Sequence, residues 1–146
     1  MRRATTVLVV EDDASIRQMI VSALEIEGYR GTGAADTPAA LDEIRRRRPD
    51  LIITDYHLPG QDGLELLRAL QAEGFGDIPA LVISADVRPP DVPPSTFIPK
   101  PFELDAILRA VRRALGRPDP GQPQQSKGGL SLASWLRGPE LAFGAI

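Results

Sequence analysis

A chain of 146 residues has room for one domain with its own hydrophobic core, plus a tail. It contains no Cys, which excludes a disulfide framework and a thiolate metal site, and its net charge of −3 argues against non-specific nucleic-acid binding, which draws on accumulated Lys and Arg. No apolar run approaches the roughly 18 residues that span a bilayer, and MRRATTVLVV turns acidic too soon for a secretory signal, so a cytoplasmic protein is expected.

Residues 6–10 are apolar and β-branched and read as a buried strand. From Ala14 to Glu27, Ile16, Ile20, Ala23 and Leu24 recur at spacings of three and four, predicting an amphipathic helix that stops at Gly28. Tyr29–Ala34 is a poor strand by propensity, with Gly31 and Gly33 inside it, and is assigned as an edge strand on topology alone. Asp36 or Thr37 caps a second helix, with Pro38 in its first turn and Pro49 closing it. The run Arg45-Arg46-Arg47-Arg48 at that end is either a solvated helix terminus favoured by the helix dipole or a docking patch for an acidic partner. Leu51–Thr54 is the next strand. After a turn at Pro59-Gly60, Gln61-Asp62 opens a helix carrying Leu64, Leu67 and Leu70 to near Gly74. Ala80–Ser84 and Thr96–Ile98 are strands, and residues 103–115 form the cleanest helix, with Leu104, Ile107, Leu108, Val111 and Leu115 on one face. Alternating strands and helices call for a doubly wound α/β fold, a parallel sheet covered on both faces.

Each strand but the edge one is followed by chemistry. Glu11-Asp12-Asp13 follow the first, Asp55 the third, Ser84-Ala85 the fourth and Lys100-Pro101 the last. In an open parallel sheet the strand C-termini share one edge, so these groups converge there. Carboxylates for a divalent cation, a reactive Asp, a hydroxyl and an ammonium together make a phosphoryl-transfer site. Three adjacent acids could merely solvate a strand end, but their mutual repulsion is what a cation would remove. Ser84 could equally cap a helix. His57, the single histidine, is too little for a zinc site and is either an acid-base group or a loop residue that modulates water access.

The stretches VLVVEDD, LIITDYHLPGQDG, VISA and PKPF, in that order across roughly residues 5–116, resemble a response regulator receiver domain, the phosphoacceptor module of two-component signalling. The resemblance implies a five-stranded sheet of flavodoxin-like order 2-1-3-4-5. It implies Asp55 as phosphoacceptor, Mg²⁺ held by Asp12, Asp55 and the His57 carbonyl with Glu11 acting through water, and Ser84 and Lys100 as donors to the phosphoryl oxygens. Asp13 would be a helix N-cap, Lys100-Pro101 a cis peptide, Ser84 a switch residue, and Phe97 either the switch aromatic or an ordinary core side chain. The implied activity is that of a stand-alone response regulator, not an enzyme in its own right. Its partners would be a sensor histidine kinase or histidine phosphotransfer protein, an unknown downstream protein and, in some states, a second copy of itself, with no direct nucleic-acid or membrane contact. Two alternatives stand beside it. One is a phosphorylation-independent binding module. The other is an aspartyl-phosphate phosphohydrolase, which would want an acid where His57 stands.

The chain departs from the pattern between Ser84 and Lys100, where Pro89, Pro90, Pro93 and Pro94 crowd together. Each costs ~3 kcal/mol or more inside a helix, so the family's fourth helix is expected to be shortened or absent, leaving apolar surface uncovered. Residues 1–116 are read as the domain, 117–129 as a flexible linker and 130–146 as an apolar segment. That segment, too short for an output domain, is either disordered or packs through Trp135 and Leu136 near Phe97 and the last helix.

Overall fold

Consecutive apolar side chains in the central strands point alternately to opposite sides and give the sheet two greasy faces, between which the helices divide. The computed structural model describes residues 4–86, 88, 90, 92–93 and 96–117. Its elements run β1 (Thr6–Val10), α1 (Ala14–Ile26), β2 (Arg30–Ala34), α2 (Thr37–Arg46), β3 (Leu51–Asp55), β4 (His57–Leu58), β5 (Gln61–Asp62), α3 (Gly63–Ala72), β6 (Ala80–Ser84), β7 (Phe97–Pro99) and α4 (Leu104–Ala114). The main sheet is five-stranded in the order β2-β1-β3-β6-β7 and parallel throughout, while β4 and β5 pair only with each other. Setting that small ladder aside, the order is the expected flavodoxin-like 2-1-3-4-5.

Leu8, Val10, Ile52 and Val82 pack with Ala40 and Ile44 of α2 and Leu64, Leu67 and Leu70 of α3. Val7, Val9, Ile53 and Ile83, one residue out of phase, pack on the other face with Ile20 and Leu24 of α1 and Ile107 and Val111 of α4. Short polar side chains close the helix starts: Asp13 accepts from the Ile16 amide at 3.0 Å, Asp36 from Ala39 at 2.9 Å and Asp62 from Glu65 at 2.8 Å. The second cap is therefore Asp36, with Thr37 already helical.

Edge strand β2 keeps its glycines for a reason outside its own conformation. A Cβ on Gly31 would sit 3.0 Å from Val21 Cγ1, and one on Gly33 would sit 2.9 Å from Arg17 Cδ. Helix α1 lies so close to this strand that side chains there would collide with it.

Between β6 and β7 none of the described residues lies in an α-helix, as the prolines predicted. Among the described residues of this stretch, Val92 is fully buried in the cluster with Leu58 and Leu64, and Phe97 is partly buried against the same cluster, so part of the surface expected to be bare is covered. The strap carrying Val92 is tied by the Arg88 guanidinium, which donates to the Val92 carbonyl, and by Thr96, whose hydroxyl and amide donate to the Pro93 carbonyl at 2.9 and 3.0 Å. The exposed large hydrophobic side chains among the described residues are Met19 and Ile26, both on α1. The proposed contacts of Trp135 and Leu136, like the whole 130–146 segment, lie outside the described residues.

The arginine run is largely engaged. Arg45 makes a two-pronged bond to Glu73 at 2.7 and 2.8 Å, Arg46 reaches Glu43 at 3.4 Å and Arg48 reaches Asp77 at 2.5 Å. Of these, only the Arg45–Glu73 pair joins α2 to the end of α3, and because it is solvent-screened that tie is weak. Arg117, assigned to the linker from sequence, lies over the Tyr29 ring at 5.3 Å and donates to the Thr5 hydroxyl at 2.7 Å.

Candidate functional site

The registers Val10↔Thr54, Asp55↔Ile83 and Ser84↔Pro99 end four strands at one level, so the residues just beyond them meet. Backbone bonds carry the order one residue further: Glu11 N–H to Ala34 O at 3.0 Å, Tyr56 N–H to Ile83 O at 2.8 Å and Lys100 N–H to Ser84 O at 2.8 Å. The Lys100-Pro101 peptide is cis, as the resemblance implied.

Lys100 Nζ donates to Asp55 Oδ2 at 2.6 Å and to Glu11 Oε1 at 3.0 Å. Asp55 Oδ1 accepts from the His57 amide at 3.1 Å. Glu11 and Asp55 are buried, Asp12 is exposed, and carboxylate oxygens of all three lie within 4.8 Å of one another. Ser84 is fully buried, and its Oγ accepts from the Asp86 amide at 3.1 Å, which leaves the hydroxyl hydrogen as the group's donor. Asp13 is turned to its helix-capping role instead.

The buried acids differ sharply in charge. Burial, together with a hydrogen bond to Asp55, pushes the Glu11 carboxyl up to about 8 despite the nearby Lys100 ammonium. Burial acts on Asp55 in the same direction, but hydrogen bonds from Glu11, Lys100 and the His57 amide outweigh it and hold the carboxyl below the ordinary range. Burial disfavours the Lys100 ammonium, yet its bonds to Asp55 and Glu11 raise it overall. Of the two acids, Glu11 is the one pushed toward its neutral form and Asp55 the one held toward its ionised form. Glu11 Oε2 is buried without a hydrogen-bond partner among the described residues. An orphaned carboxylate oxygen in an all-oxygen donor set suits a hard divalent cation such as Mg²⁺.

Three contributors escaped the sequence reading. The His57 imidazole pairs with the Asp86 carboxylate, joining the loops that follow Asp55 and Ser84. Arg17 Nη1 donates to the Glu11 carbonyl at 2.7 Å. Gly63 has its amide 2.6 Å from the Tyr56 carbonyl, and a Cβ on it would lie 2.6 Å from the Asp55 carbonyl oxygen. The glycine spacing after Asp55 was the available signal for the last. Gly63→Ala is expected to cost about 2–3 kcal/mol through overpacking against rigid backbone and to displace Asp55. Thermal denaturation with a phosphorylation assay checks both effects together.

The profile of the response regulator receiver domain matches residues 7–112. The chain belongs to that family. PhoB of Pseudomonas aeruginosa, a phosphate regulon transcriptional regulatory protein, is 40% identical over 137 residues, covering 87% of this chain and 59% of that protein. Response regulator MprA of Mycobacterium avium is 36% identical over 126 residues, covering 82% of this chain and 55% of its own. This receiver chain thus spans little more than half the length of those curated relatives. Among solved structures, the chemotaxis response regulator CheY4 of Vibrio cholerae superposes with a TM-score of 0.70 at 30% identity, covering 76% of this chain and 98% of that one. No helix among the described residues is long and apolar enough to cross a membrane.

Proposed function

We propose that this chain is a cytoplasmic response regulator receiver that takes a phosphoryl group onto Asp55 and signals through the resulting change of shape. The observation that carries the reading is the placement of the Asp55 carboxylate, held by Lys100 at 2.6 Å beside Glu11 and Asp12 at one sheet edge. A phosphohistidine donor would lose its P–N bond as an Asp55 oxygen forms the new O–P bond, the imidazole leaving with the electron pair. Lys100 and Ser84 supply donors to the phosphoryl oxygens, and the His57 amide steadies the carboxylate during attack. Asp12, Asp55 and the His57 carbonyl would hold Mg²⁺ directly, with Glu11 acting through water, and the bound ion would supply positive charge against the phosphoryl oxygens. Loss of the group is by hydrolysis of the acyl phosphate.

A groove of about 370 Å³ lined by Ile16, Met19, Ala85, Lys100, Pro101 and Phe102 opens beside the acceptor. Its apolar walls fit a sensor histidine kinase or histidine phosphotransfer protein presenting its phosphohistidine at Lys100 and Asp55. The target is taken to be a protein, with a second copy of the chain as one candidate, since a net charge of −3 disfavours direct nucleic-acid contact. A phosphohydrolase is the weaker reading because position 57 is a histidine whose ring is bonded to Asp86.

Labelling by a small acyl-phosphate donor with Mg²⁺, in wild type and Asp55→Ala, tests the core of this reading, and steady turnover of a phosphomonoester would favour the hydrolase instead. The ligand assignment has its own check. Asp12→Ala is expected to weaken Mg²⁺ binding by tenfold or more, whereas Asp13→Ala loses a helix cap worth ~1 kcal/mol and keeps Mg²⁺ affinity within about twofold. Calorimetric titration with equal losses in both variants would show the wrong acid was chosen.

A further inference from the structure

Glu11 is the best-buried acid of the site, and its main chain is fixed from both sides. Its amide donates to Ala34 O of β2 at 3.0 Å, and its carbonyl accepts from the Arg17 guanidinium at 2.7 Å. The second bond is unusual in kind. A carbonyl at the end of a strand has run out of ladder partners, and here a charged side chain reaching back from α1 replaces them. The Arg17 amide makes the first helical bond of α1, to the Asp13 carbonyl at 2.9 Å, so the side chain that reaches Glu11 starts from a fixed turn at the other end of the Glu11-Asp12-Asp13 triplet. The guanidinium brings a positive charge to three adjacent acids while spending its hydrogen bond on a carbonyl, which leaves the carboxylates to face Lys100 and a cation.

The route of that side chain explains a residue the strand pattern could not. Arg17 lies flat on β2 at Gly33, where a Cβ would stand 2.9 Å from its Cδ, 3.1 Å from its Cγ and 3.4 Å from its Nε. No contact between that Cβ and the α1 backbone comes as near, so the constraint on position 33 is the arginine stem itself.

We infer that Arg17 is a positioning residue of the phosphoacceptor site, fixing the main chain of Glu11 and so the cation-binding acids, and that Gly33 exists to leave room for it. The inference rests on the reading that these acids bind Mg²⁺ and serve Asp55. Groups that orient ligands from outside the coordination sphere typically change metal affinity 10–100-fold when removed.

The test is Mg²⁺ titration of the full chain without phosphodonor, followed by amide NMR shifts at residues 10–13 and 55–58, with thermal denaturation of each variant in parallel. Arg17→Ala is expected to raise the Mg²⁺ Kd at least tenfold. Arg17→Lys, which keeps one donor and the charge, recovers part of the loss. Gly33→Ala, with the guanidinium intact but its stem displaced, reproduces much of it, and the Arg17→Ala/Gly33→Ala double variant is no weaker than Arg17→Ala. A lowered Tm with Mg²⁺ Kd within twofold of wild type would mean the arginine is merely structural and would overturn the inference. Additive losses in the double variant would overturn the role given to Gly33. Should Arg17→Ala fail to fold, the Arg17→Lys and Gly33→Ala pair decides by the same criteria. Wild-type protein that shows no Mg²⁺ response would sink the functional reading itself, an outcome separate from a wild type that binds and an Arg17 variant that binds equally well.

Discussion

Asp55→Ala is expected to abolish phosphorylation outright. Incubated with Mg²⁺ and a small acyl-phosphate donor, wild-type protein gains one phosphoryl group by intact-mass spectrometry, and the variant gains none. The expectation follows from the division of charge in the site. Burial and its bond to Asp55 push the Glu11 carboxyl up to about 8, which favours its neutral form and makes it the poorer nucleophile. Asp55 is held ionised by Glu11, Lys100 and the His57 amide, and it sits at the strand end where these donors converge. Asp12 is exposed beside the two buried acids, which suits a cation ligand better than an attacking group. The modification should be cleaved by hydroxylamine, as acyl phosphates are. Equal labelling of wild type and variant would place the acceptor elsewhere, with Asp12 the next residue to test.

The strands that carry this site were legible because each is a short run of buried β-branched or aliphatic residues ending in a polar group. β1, β3 and β6 are buried along their whole length, so nothing about their sequence was ambiguous. β2 was legible only through topology. Its glycines answer to Val21 and Arg17 on α1, and a contact between elements leaves no trace in a strand's own pattern. That none of the described residues between β6 and β7 is α-helical was readable from the prolines, since a missing donor is a local property. The burial of Val92 was not, because it reaches the core through a tertiary contact that a non-helical segment does not advertise. The same division holds inside the site. Asp55, Glu11, Asp12, Ser84 and Lys100 could be named from their positions after strands, whereas the grip of Arg17 on Glu11, the pairing of His57 with Asp86 and the closeness of Gly63 to the Asp55 carbonyl needed three-dimensional placement.

Lys100→Ala is expected to act twice, on stability and on signalling. In Mg²⁺-free buffer it strips the ammonium from Asp55 and Glu11, whose side chains are only 7% and 4% exposed. Removing one partner from a buried ion pair costs roughly 3–5 kcal/mol, and Lys100 is itself partly exposed, so the lower end of that range applies. For a domain of this size that lowers Tm by on the order of 10 °C without abolishing the fold. Mg²⁺ is expected to restore part of the difference, because it offers the same acids a new counter-charge. Unchanged Tm in chelator would mean the ammonium contributes nothing to holding these carboxylates. The signalling effect is the larger one. Lys100 joins Asp55 to the last strand, its Nζ on the acceptor and its amide on the Ser84 carbonyl at 2.8 Å, so a new charge on Asp55 reaches Ser84, the Val92 strap and Phe97 through it. Phosphorylated Lys100→Ala should therefore show NMR shifts confined to the surroundings of Asp55, with those at residues 84–97 lost. Identical shifts in variant and wild type would show that the loop after β6 senses the phosphoryl group directly, through the Ser84 hydroxyl, with Lys100 serving only to balance charge.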